Sequence, residues 1–211
     1  RLKAEHPLRL PGAEDPLSHY GLVRAVSECL DDEAIIATDV GQHQMWVAQA
    51  YPFRRPRQWL TSGGLGTMGF GLPAAIGAAL AEPQRKVVCF SGDGSLMMNI
   101  QEMATAVDED VDVKIVLMDN QSLGLVHQQQ DMFYGKRIFA ADYTRAVDFV
   151  RIAEGFGLSA VDLSACGDPH ASLAQALASP GPGLIRCAID VNQKVYPMVP
   201  PGAANTEMIG G

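Results

Sequence analysis

The chain is poor in cysteine and aromatics and has no long apolar run. Its four cysteines, Cys29, Cys89, Cys166 and Cys187, lie far apart with no C-x-x-C pair. That spacing argues against a zinc ribbon or a dithiol redox motif. Cys89 and Cys187 fall inside apolar, strand-like runs, where a buried thiol behaves as a small hydrophobe. No stretch approaches the roughly 18 apolar residues of a membrane-spanning helix, so no membrane partner is expected. Basic residues are outnumbered, 16 Lys and Arg against 24 Asp and Glu, for a formal net charge of −8. Such a balance argues against a protein built to grip nucleic acid non-specifically. The start shows no initiator Met, signal peptide or transit peptide, and a reducing, cytoplasmic setting is the expectation. Internal repeats and low-complexity tracts are missing as well.

What remains suits one generous α/β domain: 211 residues, of which 47% are hydrophobic, enough to bury a core. Residues 1–16 are dotted with proline and read as a linker. From Leu17 onward helical and strand-like patterns alternate to Tyr196. Strands are expected over 34–38, 58–61, 86–90, 113–118, 160–163 and 183–189. Helices are expected from a Ser18 cap, over 69–81, 96–107, 123–134 and 147–155, and from an Asp168 cap to Ala178. The clearest strands are near-continuously apolar, as in a parallel sheet covered on both faces. The predicted fold is therefore a doubly wound, mainly parallel α/β sheet with helices on both sides. Residues 197–211 (PMVPPGAANTEMIGG) read as a tail without secondary structure.

Sheets of this kind bind ligands outside the carboxyl ends of their strands. Here the residues after the strands are unusual: VGQHQ after Asp39, SGGLGTMGFG after Thr61, SGDGS after Phe90 and DNQSLG after Met118. In Gly92-Asp93-Gly94-Ser95 two glycines let the backbone approach a ligand while the carboxylate projects from a tight turn. Ser95 then opens a helix whose free N–H groups favour phosphate; an ordinary turn with Asp93 as a cap is the competing reading. Asn120 follows Asp93 by 27 positions, a spacing that one helix and one adjacent strand account for. Two hard oxygens side by side at a sheet edge suit Mg²⁺, which keeps phosphate oxygens and water as further ligands.

GDG followed by 25 residues and then Asn resembles the thiamine diphosphate-binding motif. The segments TDVGQHQMW (38–46), LTSGGLGTMGFGLPAAIGAAL (60–80) and PMVPPGA (197–203) are similar to the C-terminal cofactor domain of acetohydroxyacid (acetolactate) synthases, and GLVHQQQ (124–130) to the bacterial isozyme I type of large subunit. The resemblance runs from about Pro16 to the end. It implies Mg²⁺ bound by Asp93, the Asn120 side chain and the Ser122 carbonyl. It also implies contacts to the diphosphate from Val40, Gly41, Gln42 and His43 and from the Gly92–Ser95 loop with Gly94, while Leu123, Gly124 and Leu125 border the cofactor. Gly66 would offer its carbonyl to the pyrimidine amino group, and Met68 would pack beneath the cofactor and force its bent shape. Taken alone, Met68 reads as core packing, and His43 and His127 as ordinary satisfied polar residues.

The implied reaction decarboxylates pyruvate and condenses the two-carbon unit with pyruvate or 2-ketobutyrate, in branched-chain amino-acid synthesis. Gln129 stands where many members carry Trp, which implies weak preference between the acceptors. Asp119 stands where the family usually has the first Asn of a pair, and strand alternation is expected to point it away from the metal. Further implications are an FAD-associated central domain and a pyrimidine-binding domain outside this chain, a homodimer or higher oligomer, a small regulatory subunit, and a tail that closes as a lid. The isolated segment would be inactive. A second reading rests on Gly64-Leu65-Gly66-Thr67-Met68-Gly69, which matches the G-x-G-x-x-G fingerprint of NAD-binding domains. That reading wants an acidic residue ending the next strand, where the chain has SGDGS instead. A regulatory nucleotide-binding module is a third; it explains the phosphate loop but not the Gly41–His43 and Gly66–Met68 loops.

Overall fold

The computed structural model describes residues 8–210, so the first seven residues of the expected linker lie outside it. Six strands form one sheet, β1 (Ile35–Thr38), β2 (Trp59–Thr61), β3 (Val87–Gly92), β4 (Val113–Asp119), β5 (Ser159–Asp162) and β6 (Gly183–Ala188), in the order β2-β1-β3-β4-β6-β5. Every pairing is parallel. Successive side chains on a strand face opposite ways, and the core divides accordingly. Val88 and Phe90 pack with α1 (His19–Glu28), α2 (Gln42–Ala50) and α8 (Pro169–Ala178). Val87 and Cys89 pack with α3 (Gly71–Ala81), α5 (Glu102–Asp108) and α7 (Phe149–Phe156). The short helix α4 (Asp93–Leu96) and the longer α6 (Gly124–Phe133) complete the site side.

Local signals set most boundaries. Ser18 caps α1 by accepting from Gly21 N–H at 2.9 Å, and Asp168 caps α8 ahead of Pro169 by accepting from Ala171 N–H. Four features depart from the expectation. Helix α2 carries no clear sequence signal, because QHQMWVAQA lacks a clean apolar stripe and its cap is Gly41 rather than a side chain. Helix α3 opens at Gly71, not Gly69, because the Asp39 carboxylate captures the N–H groups of both glycines. The expected 96–107 helix is split, since 97–101 runs as tight turns and Asn99 donates its amide to Gly69 O at 2.6 Å. The tail carries structure: Met198 and Ile209 exchange backbone hydrogen bonds of 3.0 and 2.9 Å around a 3-10 turn at Asn205–Glu207. At the other end, Leu10 and Ala13 pack against the core.

The chain leaves β1 for β2 on one side and returns to β3 on the other, so a crevice opens between the carboxyl ends of β1 and β3. Ligands of doubly wound sheets bind at this switch point. At the same edge Asp119 corrects the expectation from alternation. It is the last residue of β4, buried, and its carboxylate lies against that of Asp93, raising the Asp93 pKa to about 7, burial being the larger cause. Its compensation comes from β6, where Arg186 Nε donates to Asp119 Oδ2 at 2.7 Å and Nη1 donates to Asp162 at 2.5 Å.

Two imidazoles are also buried. His19 packs at a tilt against Tyr20 and Trp46, at centroid distances of 4.1 and 4.7 Å. Burial lowers the pKa of both His19 and His43 to about 4, so both are neutral at pH 7.

Removing one partner of a buried ion pair leaves the other uncompensated, at about 3–5 kcal/mol. Arg186→Met is therefore expected to destabilise by that order in denaturant unfolding, and adding Asp119→Asn to recover most of it. Acid should act through the imidazoles: the unfolded chain takes up protons below about pH 6.5 while the folded one resists until about 4, so their contribution to stability falls as pH drops through that window. Asp93 works in the opposite sense, since its raised pKa favours the folded state as pH falls below about 7. Comparing melting temperatures of wild type and His19→Gln isolates the imidazole effect; the loss between pH 6.5 and 4 should be smaller in the variant.

Candidate cofactor site

At the switch point lies a cavity of about 180 Å³, placed where sheets of this kind bind their ligands. Its walls come from four loops. After β1 stand Val40, Gly41, Gln42 and His43; after β2, Met68; after β3, Gly92, Asp93, Gly94 and Ser95; after β4, Asn120, Ser122, Leu123, Gly124, Leu125 and Gln129. Gly66 is not among the lining residues; it is exposed, and a Cβ added there would lie 3.8 Å from Val40. Trp46, Met118 and Val126 complete the lining; Trp46 and Val126 fall inside the segments 38–46 and 124–130 that carry the resemblance, but their residue types alone assign them no role.

The β1 loop turns into α2 through Gly41, whose φ of 153° is a conformation that side chains disfavour. Asp39 fixes that turn, its Oδ1 accepting from Val40 and Gly69 N–H at 2.8 Å each and its Oδ2 from Gly71 N–H at 3.2 Å. Burial nevertheless raises its pKa, with those N–H groups opposing. Ser95 ties the next loop back by donating its hydroxyl to Val40 O at 2.7 Å. His43 is fully desolvated against Gly92, where an added Cβ would sit 2.9 Å from Nδ1.

The acidic centre is tightly drawn. Asp93 Oδ1 accepts from its neighbour Gly94 N–H at 2.8 Å. Asp93 Oδ2 and Asn120 Oδ1 both accept from Ser122 N–H, at 3.1 and 3.2 Å. Two oxygens from adjacent strands thus converge on one point. The Ser122 turn is clamped from outside by residues 141–143: Leu123 N–H donates to Ala141 O at 2.8 Å, Tyr143 N–H to Gln121 O at 2.9 Å, and Ser122 Oγ to Asp142 at 2.8 Å. His127, read as an ordinary polar residue, pairs with Asp142 at 2.7 Å and does not line the cavity.

A diphosphate with Mg²⁺ fits this donor set. His43 Nε2 is buried with no hydrogen-bond partner and belongs to a cavity-lining residue; an orphaned polar atom of that kind calls for a ligand or water. The N-termini of α2 and α6 open on the cavity and supply backbone N–H groups. Among the described residues no three His, Cys, Asp or Glu side chains are grouped to hold a metal. A cation here would rest on one carboxylate, neutral oxygens and the ligand's own phosphates, as Mg²⁺ does. The residues that sequence reasoning passes over, Asp39, Gln128, Asp142 and Arg186, act on the lining from behind. Their partners lie 15 to 86 positions away along the chain, and no local pattern marks them.

The fingerprint glycines Gly64–Gly69 follow β2, the edge strand, rather than a central one, which is not where a dinucleotide fold places its pyrophosphate turn. Residues 39–187 match the family described as thiamine pyrophosphate enzyme, C-terminal TPP binding domain. Among relatives, the chain is 68% identical over 209 residues to the acetolactate synthase isozyme 1 large subunit of Escherichia coli (strain K12), covering 99% of this chain and 37% of that protein. Isozyme 2 of the same organism is 44% identical over 209 residues, 99% of this chain and 38% of that protein. Acetolactate synthase 2, chloroplastic, of Zea mays is 44% identical over 214 residues, 98% of this chain and 34% of that protein. The chain thus spans little more than a third of the length of these relatives, and neither they nor the family match support an NAD-binding reading. With its parallel sheet and its switch-point cavity, the chain belongs to the thiamine pyrophosphate enzyme family, whose C-terminal cofactor-binding domain it carries.

Proposed function

We propose that this domain holds the Mg²⁺–diphosphate end of thiamine diphosphate in an acetolactate synthase large subunit. The convergence of Asp93 Oδ2 and Asn120 Oδ1 on Ser122 N–H carries the reading. Asp93, Asn120 and the Ser122 carbonyl would hold the metal, and Val40 to His43 and the backbone of Gly94 and Ser95 would contact the phosphates. Met68 and Leu123 close the apolar side, where an added Cβ on Gly94 would meet their carbons at 3.6 and 2.5 Å. When bound, thiamine diphosphate supplies a carbanion that attacks a keto acid and a ring that accepts the electrons released by decarboxylation.

The substrates are pyruvate as donor and pyruvate or 2-ketobutyrate as acceptor. The pyrimidine-binding domain of a second subunit completes the site, and an FAD-associated domain and a regulatory small subunit belong to the whole enzyme, in the cytoplasm. Residues 197–210 serve as the lid over the cofactor. Gln129 lines the cavity and also the neighbouring groove with Val126, Gln130, Tyr134 and Arg137, and its polar amide offers little apolar surface to an extra methyl group.

Calorimetric titration of the full-length subunit with thiamine diphosphate is expected to show binding that needs Mg²⁺ and is lost in Asp93→Ala. Metal-independent binding of equal strength in that variant would sink the assignment. Gln129→Trp is expected to raise the preference for 2-ketobutyrate over pyruvate, by roughly 10–200-fold at most for one methylene. Competition between the two acceptors, read from the product ratio, measures it.

A further inference from the structure

An asparagine can bind a cation only with its oxygen forward; rotated by half a turn it presents an NH₂ group and repels the ion. One end is set by Ser122 N–H, which donates to Asn120 Oδ1 at 3.2 Å; the other depends on what meets the NH₂ group. Asn120 Nδ2 donates to Gln42 Oε1 at 3.2 Å. Both protons on Gln42 Nε2 are committed in turn, to Gln128 Oε1 at 2.8 Å and to the carbonyl of Gln193 at 2.9 Å. Gln128 then pairs with a backbone residue at two points: its Oε1 accepts from Val195 N–H at 2.9 Å and its Nε2 donates to Val195 O at 3.0 Å.

A backbone N–H and C=O cannot exchange places, whereas a side-chain amide can. We infer that Gln42 and Gln128 are positioning residues that carry the fixed polarity of the Val195 backbone and the Gln193 carbonyl to Asn120, and with Ser122 N–H hold its oxygen toward the metal. The inference rests on the reading of Asn120 as a metal ligand. Both glutamines are buried, at 3% and 1% exposure, so water does not compete for these bonds. Gly124 is part of the device: a Cβ there would lie 2.1 Å from Gln42 Oε1 and 2.4 Å from Asn120 Nδ2, on top of the bond that sets the orientation. The arrangement also commits the Gln42 side chain, so that its backbone N–H alone is left for a phosphate. Outer partners that orient metal ligands typically matter 10–100-fold in affinity.

The test is a double-substitution cycle in the full-length subunit at saturating thiamine diphosphate. Mg²⁺ affinity is read by calorimetry and Mn²⁺ affinity by electron paramagnetic resonance. Gln128→Met is expected to weaken cation binding about 10–100-fold. The deciding background is Asn120→Asp, whose two oxygens are equivalent and need no orienting. There, adding Gln128→Met should cost little. An equal loss in both backgrounds would mean that Gln128 only supports the fold, and no loss in either would also overturn the relay. If Gln128→Met does not fold, Gln42→Met carries the same comparison. Unchanged affinity in Asn120→Ala would instead remove the metal-ligand reading itself.

Discussion

One backbone N–H, that of Ser122, is shared by the carboxylate of Asp93 and the amide oxygen of Asn120, and the site is organised around it. The two acceptors end adjacent parallel strands, β3 and β4, whose register pairs Gly92 with Met118. That register places the residues just beyond the strands side by side. A shift of one residue in the pairing would separate the oxygens and turn alternate core side chains to the wrong face. The packing of Val116 and Phe90 on one face and Ile115 and Cys89 on the other therefore also fixes where the acidic centre forms.

Three aspartates are buried at this edge, and each is sustained differently. Asp39 accepts from three backbone N–H groups and so joins the β1 end to the loop entering α3. Asp119 is met by the Arg186 guanidinium, itself braced by Asp162. Asp93 has only two backbone N–H groups against burial and the neighbouring Asp119 charge, and its pKa rises to about 7. The least compensated carboxylate is thus the one that faces the cavity. Buried groups left short of partners are a recurring mark of functional positions, and His43, in the same lining, also has a buried Nε2 without a hydrogen-bond partner.

Much of this is legible in the linear order of residues. Gly92-Asp93-Gly94 and Asn120 stand at the ends of segments whose apolar runs read as strands, and the Ser18 and Asp168 caps set helix starts where they occur. The family follows from the same residues. Helix α2 is not legible, because its polar start resembles a loop and its stability comes from burying Trp46 and Val47 against α1 and β3. The orientation of Asp119 is not legible either, because alternation within β4 does not say what the ends of β3 and β6 bring alongside it.

The sequence by itself determined the parallel doubly wound sheet, since near-continuous apolar strands need cover on both faces, and it determined which residue types stand at the carboxyl edge. Tertiary structure alone decided how those residues face. Gln42 meets Gln128 across 86 positions and Asn120 across 78, and Arg186 reaches Asp119 across 67. Hydrogen-bond direction and charge compensation depend on distance in space, and a linear pattern carries neither.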